Sequence, residues 1–171
     1  MYLKSTKITF IAVLIAMLCA SHASATTYYV SDSIGSDSYN GKADSFNGTD
    51  GPWKTIQNGD VKSLLQPGDI VLVAAGTYSQ PNQYGCVLGY CSGTSSAPIT
   101  YRAQGRVLID QSAKPLASMG MLVYVNYVVI DGFEITGCQY GIYMAQYEHD
   151  GTVMNCVIHD THSEDPLAPQ T

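Results

Sequence analysis

One spacing constrains this chain more than any other feature. The triplet Ile130, Phe133, Ile135 returns as Val153, Cys156, Ile158, and Ile109-Asp110 returns as Ile130-Asp131. Around these positions the chain is a succession of short apolar runs broken by Gly, Asn and Asp, with no convincing amphipathic helix. The two offsets are about 21 to 23 residues, and a unit of that length made of short strands and tight turns fits one coil of a parallel β-helix. Equivalent side chains of stacked coils then form ladders inside. The expected architecture is all-β, a right-handed single-stranded parallel β-helix, with Phe133 and Cys156 pointing inward together. An antiparallel β-sandwich also uses many short strands. Its hairpins call for two-residue turns such as Asn-Gly between adjacent strands. Asn40-Gly41 and Asn47-Gly48 both fall inside a long polar loop instead.

The chain opens with a different pattern. Lys4 and Lys7 precede an almost unbroken apolar run, Ile8 to Leu18, and Ala23-Ser24-Ala25 supplies small residues where a signal peptidase cuts. Spanning a bilayer takes about 20 residues, and the run is much shorter, so residues 1–25 are expected to be a cleaved leader. Cys19 follows the bulky Leu18, which does not suit a lipid-attachment site. The expected domain is 26–171, secreted or periplasmic. Loss of the leader leaves six Lys and Arg against fourteen Asp and Glu, a net charge near −8 where the whole chain carries −6. An acidic surface argues against nucleic acid and anionic membranes as partners.

Four cysteines remain in 26–171. In an oxidising destination they allow three pairings. Cys86 and Cys91, close together in a Gly- and Tyr-rich stretch, are the candidate disulfide, while Cys138 and Cys156 read as small buried residues. The acids of the loop 31–51 (Asp32, Asp37, Asp44, Asp50) have the oxygen chemistry of calcium ligands. Their spacing is not that of an EF-hand, and a solvated turn region is the preferred reading. Residues 54–65 have a loosely helical apolar spacing weakened by Gly59.

Several segments carry a family resemblance. Tyr28-Tyr29-Val30-Ser31, Gly35-Ser36-Asp37 and Gly51-Pro52-Trp53-Lys54-Thr55-Ile56-Gln57 are followed by Pro67-Gly68-Asp69-Ile70-Val71-Leu72-Val73 and Gly76-Thr77-Tyr78. Pro98-Ile99-Thr100-Tyr101 and Val129-Ile130-Asp131-Gly132-Phe133-Glu134-Ile135 continue the series. Across roughly residues 27–162 this order resembles the N-terminal cap and first coils of secreted β-helix proteins related to the family 9 polysaccharide lyases, in the pectate lyase-like superfamily. The resemblance implies an acidic polysaccharide such as pectate as partner, calcium as cofactor, and a Lys or Arg base. Such lyases place the base and the acidic calcium cluster on later coils, so the chain is expected to be an N-terminal portion with the catalytic coils beyond Thr171. The resemblance also implies an uninterrupted Ala-rich helix after Ile56-Gln57. Here Asn58-Gly59-Asp60 interrupts it, and a shorter cap helix is expected.

No catalytic base can be named. The last basic residue is Lys114, beside Pro115 in a turn, and residues 115–171 contain no Lys or Arg. The remaining candidates crowd the end of the chain: Glu148, His149, Asp150, His159, Asp160, His162, Glu164 and Asp165. Of these Glu148, Asp150, Asp160 and Asp165 are the candidate metal ligands, with polar turns between coils as the simpler account. A hydrolase on the same scaffold would need two opposed carboxylates, for which Asp131 and Asp160 on adjacent coils are the candidate pair. The other alternative is a β-helix that binds carbohydrate without turning it over.

Overall fold

The computed structural model describes residues 24–79, 83–113, 118–145 and 150–162. These residues form nine strands: β1 (Thr27–Val30), β2 (Ile70–Tyr78), β3 (Cys86–Leu88), β4 (Ile99–Asp110), β5 (Met119–Val123), β6 (Val128–Thr136), β7 (Tyr140–Met144), β8 (Gly151–Met154) and β9 (Val157–His159). A single short helix, α1 (Asn58–Val61), is the other element among the described residues. Each of β2, β4 and β6 is followed by one short strand, so successive turns of chain contribute to two sheets. The long sheet runs β1-β2-β4-β6-β8 with β9 also on β6, and the short sheet runs β3-β5-β7. Every strand pairing is parallel, as stacking of coils requires.

The ladders bear out the longer of the two spacings and correct the shorter. Ile130 pairs with Val153 and Ile135 with Ile158, which sets Phe133 over Cys156. Ile109-Asp110, however, lies opposite Ile135-Thr136, and the true neighbours of Ile130-Asp131 are Tyr101-Arg102. The repeated dipeptide occupies two different places along its strands. The coil length itself changes. Earlier in the chain Ile70 pairs with Thr100, and Arg102 with Asp131. At the end Thr136 pairs with His159, a visibly shorter coil. Irregularities at Ala74/Gly76 and Arg102/Val107 absorb the changes within the strands.

Inward positions form two continuous rows, Tyr28-Val71-Tyr101-Ile130-Val153 and Tyr78-Ile109-Ile135-Ile158. All but the last member of each row are buried, while Val153 and Ile158 are 43% and 44% exposed. Cys138 is buried, as expected, and Cys156 packs half-buried against the core.

The segment 31–57 closes the first coil around Trp53. The indole is fully buried, stacks on Tyr28 at 4.8 Å, and donates its N–H to the Tyr39 carbonyl at 3.0 Å. Two glycine backbones press on the ring. A Cβ on Gly41 would come within 2.5 Å of it and one on Gly59 within 2.4 Å. The interruption Asn58-Gly59-Asp60 is therefore a packing requirement, and the helix is short, as expected: its four residues include those three. The loop acids are occupied with the loop. Asp37 accepts from the Lys54 and Thr55 amides, each at 2.9 Å, Asp50 from the Asn40 amide, and Asp44 from the Ser45 hydroxyl. Among the described residues no helix is long and apolar enough to cross a membrane.

Candidate functional site

Along a strand, alternate side chains face opposite sides, so the residues between the inward rows stand on the outer face of the long sheet. There the register brings charges of successive coils together. Arg102 lies directly opposite Asp131, and its Nε donates to Oδ2 at 2.9 Å. Asn155, one coil further, donates to the other carboxylate oxygen at 2.8 Å. Arg106 reaches Glu134 through two N–H groups, at 2.6 and 2.7 Å. This two-pronged geometry fixes a guanidinium in orientation as well as position. Glu134 in turn faces His159 Nε2 at 3.1 Å, and His159 Nδ1 faces Asp160 at 2.8 Å. The result is a polar stripe across β4, β6 and the β8–β9 coil, with Glu134 at its centre and Arg106 72% exposed at its β4 edge.

The electrostatics follow from these contacts. Arg106, then His159, holds the Glu134 carboxyl down at about 2. Asn155, then Arg102, holds Asp131 below the ordinary carboxylate range. Asp160, then Glu134, raises His159, and Glu134 raises Arg106. An imidazole whose two nitrogens both face carboxylates is favoured as the doubly protonated cation, a donor on both sides and a poor base. Glu134 is depressed, so its contribution is present above the unfolded carboxyl value near 4.5 and is lost as pH falls through about 2. His159 is raised, so its contribution is present below 6.5 and is lost as pH rises through the folded value. The stripe is fully paired between these limits. A proton NMR titration is expected to place the His159 midpoint above 6.5, and Glu134→Gln to move it back down. An ordinary His159 midpoint in the intact chain would contradict the pairing.

The structure separates most of the residues singled out from sequence. Asp160 follows β9, one residue past the Thr136–His159 pair, whereas Asp131 sits opposite Met154 near the other end of the coil. The two are not the opposed carboxylates of a hydrolase. Asp150 stands before β8, where its charge and a hydrogen bond raise the Tyr127 phenol. It lines a groove of about 380 Å³ with Thr94, Ser95, Pro98 and Thr152. Asp150 and Asp160 thus occupy opposite ends of one coil, and Glu148, Asp165 and Lys114 lie outside the described residues. Among the described residues no three His, Cys, Asp or Glu side chains converge on a common point. Asp150 and Asp160 do not form a calcium cradle together.

The Cys86–Cys91 staple is also corrected, since both are free thiols. Cys86 points into the core in the row Cys86-Met121-Ile142, where burial and then the nearby Asp60 push its thiol up. The connection expected of a disulfide is made by Asp60 instead. Its fully buried carboxylate accepts from the amides of Gly89 (2.7 Å), Tyr90 (3.2 Å) and Cys91 (2.8 Å). Sequence reasoning missed this residue because its partners lie about one coil further along the chain.

The short sheet presents a contrasting surface. Segments 83–101, 118–130 and 137–145 contain no charged residue. Tyr84, Tyr90, Tyr124 and Tyr140 are exposed there, and Tyr140 meets Tyr143 edge-on at 5.6 Å.

No protein-family model matches the chain, and no curated protein matches it. Solved structures do. The chain is similar to a rhamnogalacturonan lyase, with 25% identity and a TM-score of 0.64 over 80% of this chain and 36% of that one. It is similar to a GH136 lacto-N-biosidase from Eubacterium ramulus, with 22% identity and a TM-score of 0.58 over 80% and 27% of the two chains. It is also similar to the pectate lyase Pel9A, with 23% identity and a TM-score of 0.54 over 79% and 40%. The chain spans between about a quarter and two fifths of the length of these structures. The nearly all-β architecture, its parallel sheets and these likenesses agree on a pectate-lyase-like β-helix fold.

Proposed function

We propose that this chain is a secreted, right-handed, single-stranded parallel β-helix of polysaccharide-lyase type, and that it grips an acidic polysaccharide such as pectate along the outer face of its long sheet. The observation that carries the reading is the stripe through Arg102, Arg106 and His159. It gives an acidic protein fixed cationic donors on one outer face, Arg102 and Arg106 on β4 and His159 on β9, held in place by the carboxylates of β6 between them. A guanidinium has five N–H groups. Arg102 uses one on Asp131 and Arg106 two on Glu134, leaving others to meet uronate carboxylates and ring hydroxyls. The similarity to a rhamnogalacturonan lyase and to a pectate lyase supports a polysaccharide ligand.

Eliminative cleavage of a polyuronate needs the sugar carboxylate neutralised and a base to remove the neighbouring proton. The arginines suit the first task. They do not suit the second, because Glu134 raises Arg106 further from any basic form and Arg102 is tied to Asp131. The activity assigned to the described residues is therefore recognition. The chain is expected to slow in gels containing polygalacturonate, and Arg102→Ala and Arg106→Ala to weaken binding by about tenfold each. Unchanged binding in the double variant would refute the assignment. The gels are run in chelator and in excess calcium, because a bridging ion, which the family resemblance implies, increases retention only in the second. Ultraviolet absorbance of unsaturated uronate measures turnover, and robust product would overturn the recognition-only reading.

A second reading is favoured by the uncharged tyrosine face of the short sheet. Exposed tyrosines pack against the C–H faces of sugar rings while their hydroxyls stay in water, which suits a neutral glycan. Binding of cello-oligosaccharide that survives the double arginine substitution and falls on Tyr124→Ala would favour it.

A further inference from the structure

We propose that removal of the leader sets a lock, in which the α-amino group freed on Thr26 becomes an ammonium ion paired with the buried carboxylate of Asp69. The lock rests on the export reading and concerns what processing does to the fold.

Asp69 is only 2% exposed, at the Pro67-Gly68-Asp69 turn that launches β2. One carboxylate oxygen accepts from the Thr26 N–H at 2.7 Å and the other from the Gln66 N–H at 2.8 Å. The Asp69 carbonyl also receives the Thr100 amide of the next coil. Both donors to the carboxylate are neutral amides, so the buried group has hydrogen bonds but, among the described residues, no counter-ion. Thr26 is held from the other side as well. Its carbonyl accepts from the Ile70 amide at 2.9 Å, and β1 begins at Thr27, opposite Ile70. The nitrogen of Thr26 is thus fixed against Asp69 by the sheet, whatever precedes it. What precedes it, Ser24-Ala25, is exposed and forms the small-residue end of the leader.

Hydrolysis by an export peptidase adds water across the Ala25–Thr26 amide. The acyl side leaves as a carboxylate on Ala25, and the nitrogen keeps its place and takes up protons to become an ammonium. A contact charged on one side, N–H···O⁻, becomes an N⁺–H···O⁻ ion pair, and the buried carboxylate gains its counter-ion. The groups facing the pair are the Tyr28 phenol, which burial and then Asp69 push up and which also bonds the Thr26 side chain, and the Cys91 thiol, which feels Asp69 as its smallest influence. Neither is cationic, so among the described residues no cation competes for Asp69. A chain that keeps its leader folds without this pair, and the processed chain folds with it.

The test uses the chain exported by a secreting host beside the same chain retained with its leader. Mass spectrometry of the exported protein is expected to give Thr26 as its first residue, and a start elsewhere would sink both the lock and the assigned cleavage site. With Thr26 first, the α-amine is expected to acetylate about tenfold more slowly at pH 8 than that of a Thr-Thr-Tyr peptide, and Asp69→Asn to restore the peptide rate. A raised ammonium stabilises the fold below the ordinary amine value near 8 and ceases to do so as pH rises through its folded value. Processed chain is therefore expected to melt above leader-bearing chain at pH 7, with the gap closing at alkaline pH. This comparison needs no variant, so it stands even if Asp69→Asn does not fold. A peptide-like amine with no pH-dependent gap would overturn the lock while leaving export intact.

Discussion

Asp60→Ala is expected to lower the stability of the fold by about 2–5 kcal/mol, because three backbone donors lose their acceptor at once, the buried Cys91 amide among them, and a buried donor left unpaired costs about 1–3 kcal/mol. Against a total stability of roughly 5–15 kcal/mol for a domain of this kind, this is a substantial part of what holds it folded. The carboxylate is fully buried, and the amides it receives, Gly89 to Cys91, form the bend after β3. Water can reach the amide of the exposed Tyr90 directly, but it can rescue the buried Cys91 amide only by entering the core beside Cys86 and Tyr101, both fully buried or nearly so. Asp60→Asn keeps one acceptor oxygen and is expected to fall between the two. Urea unfolding measures the difference, and hydrogen exchange at residues 89–91 tells whether the bend opens alone or with the whole. A loss below about 1 kcal/mol would show that the bend holds itself.

Trp53→Ala is expected to cost about 3–5 kcal/mol, the range for emptying a large buried aromatic site. Its stacking on Tyr28 and its bond to the Tyr39 carbonyl go with it. Gly59→Ala checks the same packing with the opposite bias. Alanine is the better helix former by about 1 kcal/mol, so helix propensity alone predicts a more stable cap. The Cβ would lie 2.4 Å from the indole, so packing predicts a loss. Thermal melts followed by the fluorescence of Trp53, the single tryptophan, decide the sign. A stabilised Gly59→Ala would show that the ring does not dictate the residue beneath it.

The fold was legible in the sequence where strands are short and regular. Ile130, Phe133 and Ile135 announced their partners because β6 and the last coil share one register over their length. Ile109-Asp110 misled because β4 is long and irregular in its middle, so the same dipeptide can sit in either half of a strand. The site was harder to see. Arg102 and Asp131 are separated along the chain by 29 positions and Arg106 and Glu134 by 28, close to the coil length at that point. The pairing of opposite charges at the coil period was a usable signal, but the period taken from the later, shorter coils concealed it. Asp60 and Asp69 were hidden for another reason. A carboxylate that serves backbone amides has no side-chain partner to betray it, and only burial distinguishes it from the solvated acids of the loop.

The order of pairing in the long sheet has a mechanical consequence. Among the described residues the strands of each coil pair only with those of the coils before and after, so the chain is wound like thread on a spool. Pulled by its last coil, it is expected to unwind one turn after another, breaking hydrogen bonds in succession and not all together. Each turn would release roughly 80–100 Å of thread. The unwinding meets its firmest resistance at the other end, where Trp53 and the carboxylates of Asp60 and Asp69 knot together stretches that lie far apart along the thread.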